Sequence, residues 1–152
     1  MYVPKIDFEK WMNRKRCFVK IKNRDNLCCA RALAVALAHN KKGDSQEAAR
    51  YYRQICRSEK PQKEGALYLH QISGVPTEGS CGIDELKKFQ AALPDYQIVV
   101  YSKDTLNEIL YAGLPMSEQL FLYHYDDHFA IITSKPSFLG KEWVLRNLFE
   151  SV

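Results

Sequence analysis

Helix-forming sequence comes first in this chain and strand-forming sequence last, and that order limits the folds open to it. Leu27 to about Asn40 is rich in alanine and leucine and reads as a helix, entered through Asp25 or Asn26 as its cap and broken by Gly43. Asp44-Ser45 caps a second helix running to about Arg57, with Ala48, Tyr52, Ile55 and Cys56 on one side. Lys63 to Ile72 reads as a third helix. A loop from Gly74 to Gly82, with Pro76 and Gly79 inside it, introduces a helix from Ile83 to Leu93 that Pro94-Asp95 stops. Three strand-like runs follow: Tyr96 to Ser102, Leu120 to Tyr125 and Phe129 to Thr133. Between the first two, Leu106 to Tyr111 reads as helical and Gly113-Leu114-Pro115 as a turn. Phe8 to Lys15 reads as a short helix, Cys17 to Ile21 as a short strand and Lys141 to Phe149 as a last helix. Segregation of this kind predicts an α+β fold, a helical half against a small antiparallel sheet, in one domain covering residues 1–152.

The bulk properties narrow the classes of function. With 152 residues, 46% hydrophobic and 12% aromatic, the chain has the composition of a folded domain and not of a disordered one. No apolar run approaches the ~20 residues that span a bilayer, and Met1 to Lys20 lacks the apolar core of a signal peptide. Five cysteines without a Cys-x-x-Cys pair fit reduced thiols better than a disulfide framework or a zinc site. A cytoplasmic or nuclear location is the expectation, with no metal and no cofactor. The net charge of +4 is concentrated in Arg14-Lys15-Arg16 and Lys20-Ile21-Lys22-Asn23-Arg24. No aromatic-interleaved motif accompanies these runs, so they read as a solvated basic face, not a nucleic-acid surface.

Cys28 stands at the head of the alanine-rich helix, where the positive end of the helix dipole favours a thiolate. Cys29 beside it falls in one apolar stripe with Leu33 and Leu37 and reads as a packing residue. Cys28 is rotated ~100° away from that stripe. Cys17, Cys56 and Cys81 have no motif around them and read as structural. A histidine brought beside the thiol takes its proton and returns it to a leaving group. Of the four histidines, His39 lies at a helix end and His70 has no acidic companion. His124 and His128 lie in Tyr123-His124-Tyr125-Asp126-Asp127-His128-Phe129-Ala130, at the junction of two strands.

The run Asp25-Asn26-Leu27-Cys28-Cys29-Ala30-Arg31-Ala32-Leu33 resembles the cysteine motif of OTU-type deubiquitinases, Asp-Gly-Asn-Cys-Leu-Phe-Arg-Ala-Leu. Asp25, Cys28, Arg31, Ala32 and Leu33 match in register, and Asn26, Leu27, Cys29 and Ala30 depart from it. Asp126-Asp127-His128-Phe129 has the Asp-x-His-aromatic form of the viral tegument-type deubiquitinases. The stretch from Asp25 to about Leu139 also resembles the protease-like region ahead of the polymerase in Maverick/Polinton transposons. The cysteine-first, histidine-last order is that of papain-like cysteine proteases.

These resemblances imply a papain-like fold and a thiol-dependent hydrolase acting on ubiquitin or ubiquitin-like conjugates. Cys28 is the implied nucleophile and His128 the general base. Asp126 orients the imidazole as the tegument-type order implies, with Asp25 the OTU-like alternative. The amides of Cys28, Asp25 and Asn26 are the expected oxyanion donors, with Asn23 or Asn26 adding a side-chain donor, although loss of the motif glycine alters that loop. Phe129 is expected to roof a groove that admits only glycine. Glu78, Asp84 and Glu85 are candidate partners for the basic tail of ubiquitin. Two other functions fit the same residues: a polyprotein-processing cysteine peptidase of a mobile element or virus, and an inactive protease-like binding module.

Overall fold

A computed structural model describes residues 5–140, so the last helix read from the sequence, Lys141 to Phe149, lies outside the described residues. In chain order the elements are α1 (Lys5–Lys15), β1 (Phe18–Lys20), α2 (Cys28–Lys41), α3 (Gln46–Arg57), α4 (Glu59–Ser73), α5 (Ile83–Ala92), β2 (Tyr96–Ser102), a 3-10 turn (Lys103–Thr105), β3 (Glu108–Ala112), β4 (Glu118–Tyr125) and β5 (His128–Ile132).

Every residue of α2 from Cys29 to Ala36 is buried, as is Ala38. A helix apolar around its whole circumference belongs inside a protein, and alanine keeps this one thin enough for close neighbours. A Cβ placed on Gly65 of α4 would lie 2.9 Å from the Cβ of Ala34, so glycine at 65 sets how near these helices come. Neither Asp25 nor Asn26 caps α2. Leu27 holds the cap position with no side-chain hydrogen bond, which leaves the first-turn amides without a side-chain acceptor. Ser45 does cap α3, accepting the Ala48 N–H at 3.0 Å. Helix α4 begins four residues before the predicted Lys63, because Pro61 sits in its first turn, where a missing N–H costs nothing. Gly74 ends it in the left-handed conformation.

The sheet has the order β1-β5-β4-β2-β3. Its β2–β4 pair is parallel and the rest are antiparallel, so the expected antiparallel sheet is in fact mixed. Leu106 to Tyr111 does not form the expected helix, and the chain makes its crossover from β2 to the parallel β4 through a strand instead. Leu106 and Asn107 adopt left-handed conformations, at φ 54° and 66°, and turn the chain back as β3 along one edge of β2. The returning β4 then takes the other edge of β2, in the same direction. Leu106, Ile109 and Leu110 stand at i, i+3 and i+4, which imitates a helical stripe; Leu106 and Ile109 are in fact exposed.

Alternating residues of the sheet serve two cores. Leu120, Leu122, Phe129 and Ile131 pack with α2, α4 and α5, whereas Phe8 and Met12 of α1 pack with Tyr123, Tyr125, Ala130, Ile132 and Phe138 on the opposite face. Asn40, near the C-terminal end of α2, donates to the Gln119 carbonyl at 2.9 Å, at the start of β4. Helix α2 thus runs against the direction of β4, and Cys28 is delivered to the end where β4 turns into β5.

Part of the basic excess is used internally. Lys20 donates to Asn13 at 3.0 Å and Lys15 to the Ser137 carbonyl at 3.2 Å. Among the described residues no helix is long and apolar enough to cross a membrane.

Candidate active site

Asp126 and Asp127 form the two-residue turn between β4 and β5, both left-handed at φ 49° and 57°. That is the hairpin geometry matching sheet twist, and aspartate tolerates it better than most residues. The pairs flanking the turn are Tyr125 with His128 and His124 with Phe129. His128 therefore lies on the Tyr125 side of the hairpin, and its ring meets the Tyr125 ring edge-on at 5.7 Å. His124 and Phe129 lie on the α2 side, with ring centroids 5.0 Å apart.

Cys28, half-buried as the first residue of α2, comes up against the start of β5. It packs against the core that holds Phe129, and the Phe129 backbone, next to His128 in the chain, acts on the thiol to favour its charged form. Burial pushes the Cys28 thiol above its ordinary pKa, and the Phe129 backbone offsets this only in part. Burial thus opposes the thiolate that the helix dipole favours. Cys29 is buried and its thiol meets that of Cys81, with burial and this neighbour pushing its pKa further up. Cys29 is thus the packing residue of the pair. Cys81, read as merely structural, lies on the loop 74–82 that closes this side of the site. Between that loop and α2 remains a crevice of ≈ 10 Å³, lined in part by Asn26, Cys29, His70 and Cys81.

Among the described residues the His128 ring makes one hydrogen bond. Its Nε2 lies 2.5 Å from the main-chain carbonyl oxygen of Ile21, just past β1. Asp126, the expected orienting group, is not its partner: the carboxylate accepts from Lys103 Nζ at 3.2 Å and is 51% exposed. Two residues share a face at a spacing of two only in extended backbone. A left-handed turn breaks that rule and sends the Asp126 side chain away from β5.

Asp25 is not free to orient the imidazole either. Its Oδ2 accepts from Arg31 Nη2 at 2.8 Å, and its Oδ1 from Arg31 Nε at 3.3 Å, the Leu27 N–H at 3.1 Å and Asn23 Nδ2 at 3.0 Å. These donors, the Arg31 guanidinium foremost, hold the carboxyl down at about 2. Arg31 is buried and continues to the Glu59 carbonyl at 3.1 Å and to Gln62, whose amide donates to the Ile55 carbonyl at 2.7 Å. The matched Asp and Arg of the motif thus form a clamp tying the loop before Cys28 to the α3–α4 corner. Asn23 spends its amide protons on Asp25, so the expected side-chain oxyanion donor is Asn26 alone. Asn26 is exposed and makes no side-chain hydrogen bond among the described residues.

Phe129 is 2% exposed and belongs to the core with α2, so its ring does not stand over an open groove. Phe129→Ala is expected to cost ~3–5 kcal/mol of stability, as for other buried phenylalanines, with little change in selectivity. Thermal melting alongside cleavage of glycine and alanine variants of one substrate checks both halves. Of the acidic candidates, Glu85 is committed to the Gly82 N–H at 2.7 Å, and Glu78 and Asp84 are exposed.

Sequence reasoning missed a polar cluster beside the site. Ser102 Oγ, buried, lies 3.1 Å from His124 Nδ1 and accepts the Asp104 N–H at 3.1 Å, and Asp104 Oδ2 lies 3.8 Å from the same ring nitrogen. The parallel register that pairs Ser102 with His124 brings them together, and no local motif announces it. Among the described residues no group of three or more metal-ligating side chains converges.

No family model matches the chain, and no curated protein matches it. Among solved structures, the viral OTU domain protease from Farallon virus is similar at 16% identity, over 76% of this chain and 83% of that one, with a TM-score of 0.34.

Proposed function

We propose that the chain is a papain-like cysteine hydrolase that cleaves ubiquitin or ubiquitin-like conjugates after a C-terminal glycine. The observation that carries the reading is the meeting of Cys28, at the N-terminus of α2, with the first residues of β5 that bear His128. The likeness of the Asp25–Leu33 and Asp126–Phe129 segments to deubiquitinase motifs supplies the substrate class.

In this mechanism Cys28 gives its proton to His128 as sulfur attacks the carbonyl carbon of the glycine. The oxyanion is held by amides at the head of α2, where dipole and unpaired N–H groups favour negative charge. As the C–N bond breaks, His128 passes the proton to the leaving amine, leaving a thioester on Cys28. Water, deprotonated by the same imidazole, attacks the thioester, and the departing sulfur recovers a proton. The chemistry needs no cofactor, and five free cysteines suit a reducing compartment.

A ubiquitin carrying a C-terminal electrophile tests this reading. Labelling that is lost in Cys28→Ala, and slowed in His128→Ala by the ~10²–10⁴-fold typical of a general base, is the expected result. The burial of Phe129 favours a second reading, a peptidase that processes another polypeptide, because the ring expected to select glycine is in the core. Failure of the ubiquitin probe with cleavage of unrelated peptides identifies that function. Silence toward both, with Cys28 still alkylated by a small reagent, identifies a binding module.

A further inference from the structure

A thiol–imidazole pair works only if the imidazole presents its unprotonated nitrogen to the thiol, and some acceptor must hold the other nitrogen's proton in place. Among the described residues no carboxylate is hydrogen-bonded to the His128 ring, the adjacent Asp127 included. Asp126 is bound to Lys103, Asp25 to Arg31, and Asp104 lies against His124. What does meet the ring is the Ile21 carbonyl, 2.5 Å from Nε2. The Ile21 side chain is buried in the α2 core, which fixes the carbonyl just past β1. The Tyr125 ring meets the imidazole edge-on from the neighbouring strand β4.

Building on the proposed function, we infer that the main-chain carbonyl of Ile21 stands in for the third catalytic carboxylate. It accepts the Nε2–H proton, fixes the tautomer with Nδ1 unprotonated, and leaves Nδ1 as the base for Cys28. When the Cys28 proton arrives on Nδ1, the imidazolium keeps both protons, one held by Ile21 and the other passed on to the leaving amine. The carbonyl is a positioning group: it moves no proton itself. Because it is uncharged, it stabilises the imidazolium less than a carboxylate would, and no side-chain substitution removes it.

Two measurements test the assignment. The first needs no substrate. In chain labelled with 15N in histidine, neutral His128 should carry its proton on Nε2, with that proton shifted downfield and protected from exchange. A proton found on Nδ1, or an Nε2–H that exchanges like that of an exposed histidine, overturns the inference even if the ubiquitin probe labels the enzyme. The second uses Cys28 as a native ligation junction. A synthetic 1–27 thioester with Lys22 replaced by its α-hydroxy analogue turns the Ile21 carbonyl into a weaker, ester acceptor. Joined to residues 28–152, it should react with the probe at least ~10-fold more slowly than the all-amide chain made the same way, with the Nε2–H resonance moved upfield. Asp126→Ala should stay within ~3-fold of the parent rate, as expected for an exposed turn carboxylate. An unaffected ester chain, or an Asp126→Ala loss as deep as that of His128→Ala, returns the role to the carboxylate. Absence of labelling in every chain, with the tautomer as expected, counts against the proposed function and leaves the geometry standing.

Discussion

Cys28→Ala is expected to abolish turnover and probe labelling while leaving the melting temperature within a few degrees of the parent. Alanine is the best helix former and suits the first turn of α2. Cys28 is only half-buried, so removing its sulfur opens little cavity. Cys29→Ala is expected to do the reverse, retaining most activity while losing stability, because Cys29 is buried in the core against Cys81. Rates and melts of the two variants side by side settle the assignment. A Cys29→Ala chain that is stable but dead would transfer the chemistry to the other thiol.

Asp25→Ala is expected to destabilise the chain by ~3–5 kcal/mol, far more than loss of an exposed ion pair, because it strands a guanidinium that is 4% exposed. Urea unfolding of Asp25→Ala, Arg31→Met and the double variant measures this. The double variant should recover much of the loss, since it leaves no buried charge. An Asp25→Ala midpoint unchanged from the parent would mean the clamp contributes nothing. The same clamp gives a pH dependence with a definite sign. Asp25 binds its proton more weakly folded than unfolded, so its contribution is complete above about pH 4 and is lost as pH falls toward about 2. The parent should therefore lose more stability across that interval than Asp25→Ala does. The loop before Cys28 is tied down by this pair, so Asp25→Ala should also slow labelling without Asp25 touching substrate.

What was legible in the sequence was what local pattern records. The alanine- and leucine-rich helix α2, the position of Cys28 at its head, the role of Cys29 in packing and the Ser45 cap follow from helical spacing and end chemistry. The two strands on either side of Asp126-Asp127 follow from their apolar runs. What was not legible depended on partners far apart in the chain. Leu106, Ile109 and Leu110 imitate a helix, and only the edge of β2 turns them into a strand. The mixed sheet and the Ser102–His124–Asp104 cluster follow from the parallel register of β2 with β4, which no local pattern records. Asp25 keeps its motif position but spends its carboxylate on Arg31, which motif matching does not distinguish from catalysis. Phe129 has the candidate base His128 as its neighbour in sequence and a core environment in space. The partner of His128 was beyond any motif, because a main-chain carbonyl is the same at every residue.

The pairing of β1 with β5 also decides when the site can come into being. The groups joined at Ile21 and His128 are 107 residues apart in the chain, and closing a loop of that length is slow beside forming the helices between its ends. During synthesis α2 can emerge and pack against α3 and α4 while its thiol has neither the Phe129 backbone nor a base. On the proposed function, Cys28 has no base beside it until the last strand arrives, so a ribosome-bound or prematurely ended chain is expected to be inert toward the peptides around it. Completion of the sheet brings the two groups of the site together.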